Sequence, residues 1–179
     1  MVYFLIGVVL LLVIAPIFTI LPSKHAKAVM ELRRRAMGAG ITVTMRRIDD
    51  PDPDKEEYKT PTGRRIDPIM SVGAYSVQRP KPADLRLYPR QDWALGRQPG
   101  GDTPVVDDWC WLGTDEVYPA IEEYLLASLG GLPDDAVKVE DLNYHVTVYW
   151  RERSGEEGLA AILTFLDGVK KITLVDEEC

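Results

Sequence analysis

The chain reads as an α+β protein: an N-terminal transmembrane helix followed by a small mixed sheet packed with two or three helices. Three observations predict this. Residues 1–21 carry no charged side chain, and five cations follow directly. Beyond that run, roughly 155 residues remain, enough for one ordinary domain with a single core. Within them, segments of strand and helix period follow each other without the regular alternation that builds a doubly wound parallel sheet.

The run MVYFLIGVVLLLVIAPIFTIL is apolar throughout, with Tyr3 and Thr19 its only hydroxyls. As a helix it would rise about 31 Å, close to the ~30 Å hydrocarbon core of a bilayer. Gly7 and Pro16 interrupt it, and both are tolerated in membrane helices. Ala26-Lys27-Ala28 matches a signal-peptidase pattern, but no Lys or Arg precedes the apolar core and the core is too long for a cleaved signal. Residues 1–22 are therefore expected to be a retained anchor. Lys24, Lys27, Arg33, Arg34 and Arg35 lie on its C-terminal side, which places the N-terminus outside and the following domain in the cytoplasm.

Charge divides the chain. Residues 1–48 hold seven Lys/Arg and one acid, Glu31, for +6; residues 49–179 hold 14 Lys/Arg and 27 Asp/Glu, for −13. The five cations suit anionic lipid headgroups, with the bilayer as first partner. The acidic domain is repelled from the same surface and from nucleic acid. Cys110 and Cys179 form no CxxC, and a cytoplasmic domain keeps them reduced.

The elements follow in order. Residues 23–40 are expected to form a basic juxtamembrane helix, N-capped by Ser23, with Val29, Leu32 and Ala36 on one side and Gly38 and Gly40 ending it. The acidic domain, 41–179, opens with a strand at 41–45. Residues 49–67, rich in Asp and Pro, are expected as an exposed loop. Strands are expected at 72–78, 85–88 and 109–112, with loop over 89–108. Thr114 offers an N-cap to a helix at 115–129, whose Val117, Ile121, Tyr124, Leu125 and Leu129 share a face. A turn at 132–135 precedes a short strand at 136–139. The strand at 144–151 points Val146, Val148 and Trp150 one way and His145, Thr147, Tyr149 and Arg151 the other. Ser154 with Glu157 forms a capping box for a helix carrying Leu159, Ile162, Leu163 and Leu166, ended by Gly168. A last strand is expected at 172–175.

Catalytic and cofactor motifs are missing. No Walker A loop, G-x-G-x-x-G or H-E-x-x-H occurs. His145, alone in a strand, has no nucleophile or orienting acid at a recognisable spacing. Asp50, Asp52, Asp54 and Glu56 alternate like a calcium loop, but Lys55 and Pro61 stand where that loop needs Gly and Glu. No catalytic residue, metal or cofactor is assigned. Trp93, Trp109 and Trp111 suit a core in a domain of this size; exposed, and rimmed by Asp107 and Asp108, they would form a platform for a basic partner.

Pro22-Ser23, Leu32-Arg33 with Ala36, Leu132-Pro133 and Val148-Tyr-Trp-Arg-Glu152 resemble a group of uncharacterised proteobacterial proteins with one N-terminal span. The resemblance implies a bacterial inner membrane and no particular activity. The expected role is a membrane-tethered cytoplasmic interaction or adaptor module with a membrane-protein partner. The alternatives are a membrane-anchored enzyme using carboxylates or a metal, and a lipid-sensing domain.

Overall fold

The computed structural model describes residues 3, 7, 23–82, 84–113 and 117–172. Among them, three helices lie on one face of a seven-stranded sheet. The helices are α1 (Lys24–Gly38), α2 (Pro119–Ser128) and α3 (Gly155–Lys171). The strands are β1 (Thr42–Asp49), β2 (Ile69–Gln78), β3 (Trp93–Arg97), β4 (Pro104–Val106), β5 (Trp109–Trp111), β6 (Ala136–Leu142) and β7 (His145–Trp150). They lie in the order β1-β2-β7-β6-β3-β5-β4, and every neighbouring pair is antiparallel.

This corrects the expected fold class in two respects. Among the described residues the sheet is neither small nor mixed: it has seven strands and no parallel pair. A parallel pair needs a crossover connection, whereas β6 and β7 turn on two residues, Asn143 and Tyr144. Both have positive φ, 53° and 63°, the hairpin geometry that matches strand twist. Second, no helix among the described residues is long and apolar enough to cross a membrane. The span expected at 1–22 lies outside the described residues, Tyr3 and Gly7 excepted.

Individual elements differ too. Strand β1 runs on through Arg46-Arg47 to Asp49, and residues 85–88 form a turn in place of a strand. Strands β3 and β4 occupy a stretch expected as loop. Tyr118 stands at the start of α2, with Pro119 in its first turn; Thr114 lies outside the described residues, as does most of the strand expected at 172–175. Ser154 forms no capping box. Instead Asp135, from the turn before β6, accepts the amides of Arg153 (2.5 Å) and Ser154 (3.2 Å) ahead of α3, supplying the negative charge a helix N-terminus favours. Helix α3 continues past Gly168, which lies against the Tyr124 ring: a Cβ there would come 2.1 Å from its hydroxyl.

The main core lies between sheet and helices. Tyr75, Leu95, Trp109, Val139, Val146, Val148 and Trp150 meet Leu32 and Ala36 of α1, Ile121 and Leu125 of α2, and Leu159, Ile162, Phe165, Leu166 and Val169 of α3. The opposite face carries only a small apolar cluster of Met70, Val72, Ala74, Val137 and Tyr149, with Ile48 beside it.

Candidate interaction surface

Strand alternation divides the side chains of β1, β2, β6 and β7 between the two faces. On the face without helices, the register aligns Glu140, Thr147, Ser76 and Thr42 in one row, and Lys138, Tyr149, Ala74 and Thr44 in the next. Small residues therefore occupy the middle while Arg46, Gln78, Leu142 and His145 stand around them, leaving a groove of about 520 Å³. Its floor is rich in hydroxyls. Ser76 Oγ and Thr147 Oγ1 share a hydrogen bond (2.8 Å). Tyr149 donates to Glu140 (2.5 Å), Lys138 pairs with the same carboxylate (2.6 Å), and the Lys138 ammonium lies 5.4 Å from the Tyr149 ring centre. Burial, then the Glu140 carboxylate, push the Tyr149 hydroxyl well above its ordinary value. His145 is exposed at the groove's end, its Nδ1 3.0 Å from the Asn143 carbonyl oxygen.

The groove holds one acid, Glu140, already committed to Lys138 and Tyr149. A carboxylate pair for acid–base chemistry does not converge there. No group of three or more His, Cys, Asp or Glu among the described residues could hold a metal ion.

The residues singled out from sequence are dispersed. Trp93 and Trp109 are interior, 2% and 0% exposed, on the helix side of the sheet. Trp111 is partly buried and packs edge-on to Trp93, ring centres 6.4 Å apart. Asp107 and Asp108 are exposed at the β4–β5 turn. These five residues present one acidic turn and at most the edge of one indole.

The cations of α1 divide likewise. Arg33 turns inward: its Nε and Nη2 donate to the buried Glu152 at 2.8 and 2.5 Å, and Tyr75 donates to the same carboxylate at 2.7 Å. Gly73 makes room, since a Cβ there would lie 2.8 Å from Glu152 Oε1. Arg34 and Arg35 pair with Glu31, and Arg35 also with Glu156 (3.1 Å). Lys24 and Lys27 remain exposed on the first turns.

No sequence motif predicts two further polar clusters, although Asp50 belongs to the calcium-loop pattern that failed. Asp50 is buried under the segment expected as loop. Its carboxylate accepts from Lys55 (2.8 Å), Tyr58 (2.7 Å), the Asp52 amide (3.0 Å) and Arg151 (3.3 Å). Burial by itself would raise this carboxyl; the donated hydrogen bonds outweigh it and hold it below the ordinary carboxylate range. At the other end of β2, Arg79 pairs with Asp141, both inaccessible, and lies 4.9 Å from the Tyr144 ring centre. Burial, opposed by Arg79, leaves Asp141 above its ordinary value. No family model, curated protein or solved structure matches the chain.

Proposed function

We propose that this protein is a membrane-tethered interaction module of the bacterial inner membrane, an adaptor whose domain faces the cytoplasm. The observation that carries the reading is the one-sided sheet: helices cover one face, and the other presents a groove of about 520 Å³. A concave sheet face with hydroxyls at its floor and Arg46, His145 and Leu142 at its rim offers hydrogen bonds and contact area to a partner. The uncharged segment ahead of Ser23, with the cations behind it, supports the tether and its orientation. Tethering would raise the domain's effective concentration for membrane-protein partners without any new contact.

An affinity pull-down from gently solubilised membranes tests the reading. The full chain is expected to recover a stoichiometric membrane partner. Thr42→Arg/Thr44→Arg, which fills the groove from exposed positions, is expected to lose it, while Leu126→Ser on α2 retains it. Recovery of no partner by any of the three sinks the adaptor reading. A periplasm-dependent reporter fused after Cys179 tests orientation, and activity there contradicts a cytoplasmic domain.

A further inference from the structure

Helix α1 is part of the domain. Leu32 and Ala36 are in the main core, and Arg33 is tied to Glu152 beyond β7. Wherever α1 lies, the sheet and the other helices lie with it. Its outward face is unusual. Lys27, Met30, Arg34 and Met37, spaced i, i+3, i+7 and i+10, share one stripe away from Leu32 and Ala36, and all four are exposed. Met30 and Met37 are 51% and 54% exposed. The chain then turns back into β1, where Met45 is also 54% exposed and Arg47 follows two residues on, on the same side of the strand. Three of the chain's five methionines thus stand in solvent on two consecutive elements, interleaved with cations.

We propose that this stripe of α1, continued by Met45 and Arg47 of β1, rests on an anionic lipid surface, so that the domain lies against the bilayer with its helix–β1 edge down. The proposal rests on the tethered reading above and adds the contact face. Two facts select lipid as the occupant. The stripe begins four residues after Ser23, the N-cap that directly follows the 22-residue segment with no charged side chain. The charge is complementary as well: Lys24, Lys27, Arg34, Arg35 and Arg47 are exposed on α1 and β1, whereas residues 49–179 carry −13 and are repelled from anionic headgroups. Methionine side chains are flexible and apolar enough to enter the headgroup boundary while the flanking Lys and Arg stems keep their charges at the phosphates. Two acids lie on these elements: Glu31 is paired with Arg34 and Arg35 in exposed ion pairs, which give way readily to other anions, and Asp49 ends β1.

The test uses the full chain with Cys179→Ser, carrying an environment-sensitive fluorophore at Met30→Cys, Met37→Cys or, as control, Leu142→Cys on the open sheet face. Each is reconstituted with vesicles of phosphatidylcholine, with or without phosphatidylglycerol, and checked by flotation. With phosphatidylglycerol, labels at 30 and 37 are expected to shift to the blue and to be quenched by shallow spin-labelled lipid, and the label at 142 to do neither. Lys27→Glu/Arg47→Glu is expected to lower that quenching several-fold. Chain that floats with labels at 30 and 37 as wet as at 142 overturns the contact face and leaves the tether standing. A blue shift without lipid quenching means that protein covers the stripe, and also overturns it. Chain that fails to float overturns the tether and the contact face together.

Discussion

Glu152 sits just past β7 with a φ of 60°, and its carboxylate gathers Arg33 from α1 and Tyr75 from β2. Buried charges are tolerable only when paired and hydrogen-bonded, and removing one partner strands the rest. Glu152→Ala is expected to cost about 2–4 kcal/mol in urea unfolding, because a buried hydroxyl and a guanidinium lose their acceptor together. Asp50 makes a pH-dependent contribution. Its carboxyl titrates lower in the folded chain than when unfolded, so its stabilisation is complete above the unfolded value, near pH 4, and is lost as pH falls through the lower folded value. Wild type is therefore expected to lose stability below about pH 4 more steeply than Asp50→Asn, measured as urea midpoints from pH 6 to pH 2. From sequence, Asp50 stood out only within a calcium-loop pattern that fails at Lys55 and Pro61, and nothing marked Glu152 as a buried acid. Each takes partners from other elements, and no local spacing encodes such a meeting.

Residues 49–67 show how one buried side chain organises a segment. Their Asp and Pro content reads as exposed loop, and most of the segment is exposed; within it Lys59 and Arg65 bridge, Thr60 and Gly63 close a turn, and Glu56–Tyr58 forms a 3-10 turn over Asp50. Tyr58→Phe removes one donor to Asp50. Limited trypsinolysis is expected to cut this variant at Lys59, Arg64 or Arg65 several-fold faster than wild type, and equal rates would show that the segment does not depend on that bond. Helix α3 carries the opposite lesson. Gly168 reads as a stop, since glycine favours the end of a helix, but here it is required by close approach of Tyr124, whose hydroxyl donates to the Phe165 carbonyl (2.7 Å). Gly168→Ala, favourable by about 1 kcal/mol in a free helix, is expected instead to lower the melting temperature.

The whole sheet is assembled from distant pieces. Strands β6 and β7 form a local hairpin, but they occupy the middle, joining β2 on one side to β3 on the other. Neither half of the sheet is complete until the last third of the chain has arrived, and most pairings are far apart in sequence. Refolding from urea is accordingly expected on the millisecond-to-second scale by stopped-flow tryptophan fluorescence, and a microsecond phase carrying the full amplitude would contradict this. The same assembly sets acids of the later chain against the basic helix: Arg33 of α1 meets Glu152, and Arg35 meets Glu156.

Periodicity was enough to place α1, α3 and β7 and the facing of β7's side chains, because amphipathic spacing is a local property that burial on one side imposes. Charge composition separated the basic first quarter from the acidic remainder. Strands β3 and β4 escaped periodicity: they are five and three residues long and sit among Pro, Gly and Asp, and their strand state comes from neighbours in the sheet. The interior placement of Trp93 and Trp109, the inward turn of Arg33 and the open groove were likewise decided only in three dimensions. Composition sets which side chains can be buried, but which acid meets which cation, and which face of a sheet stays uncovered, depends on contacts between residues that nothing in their local sequence links.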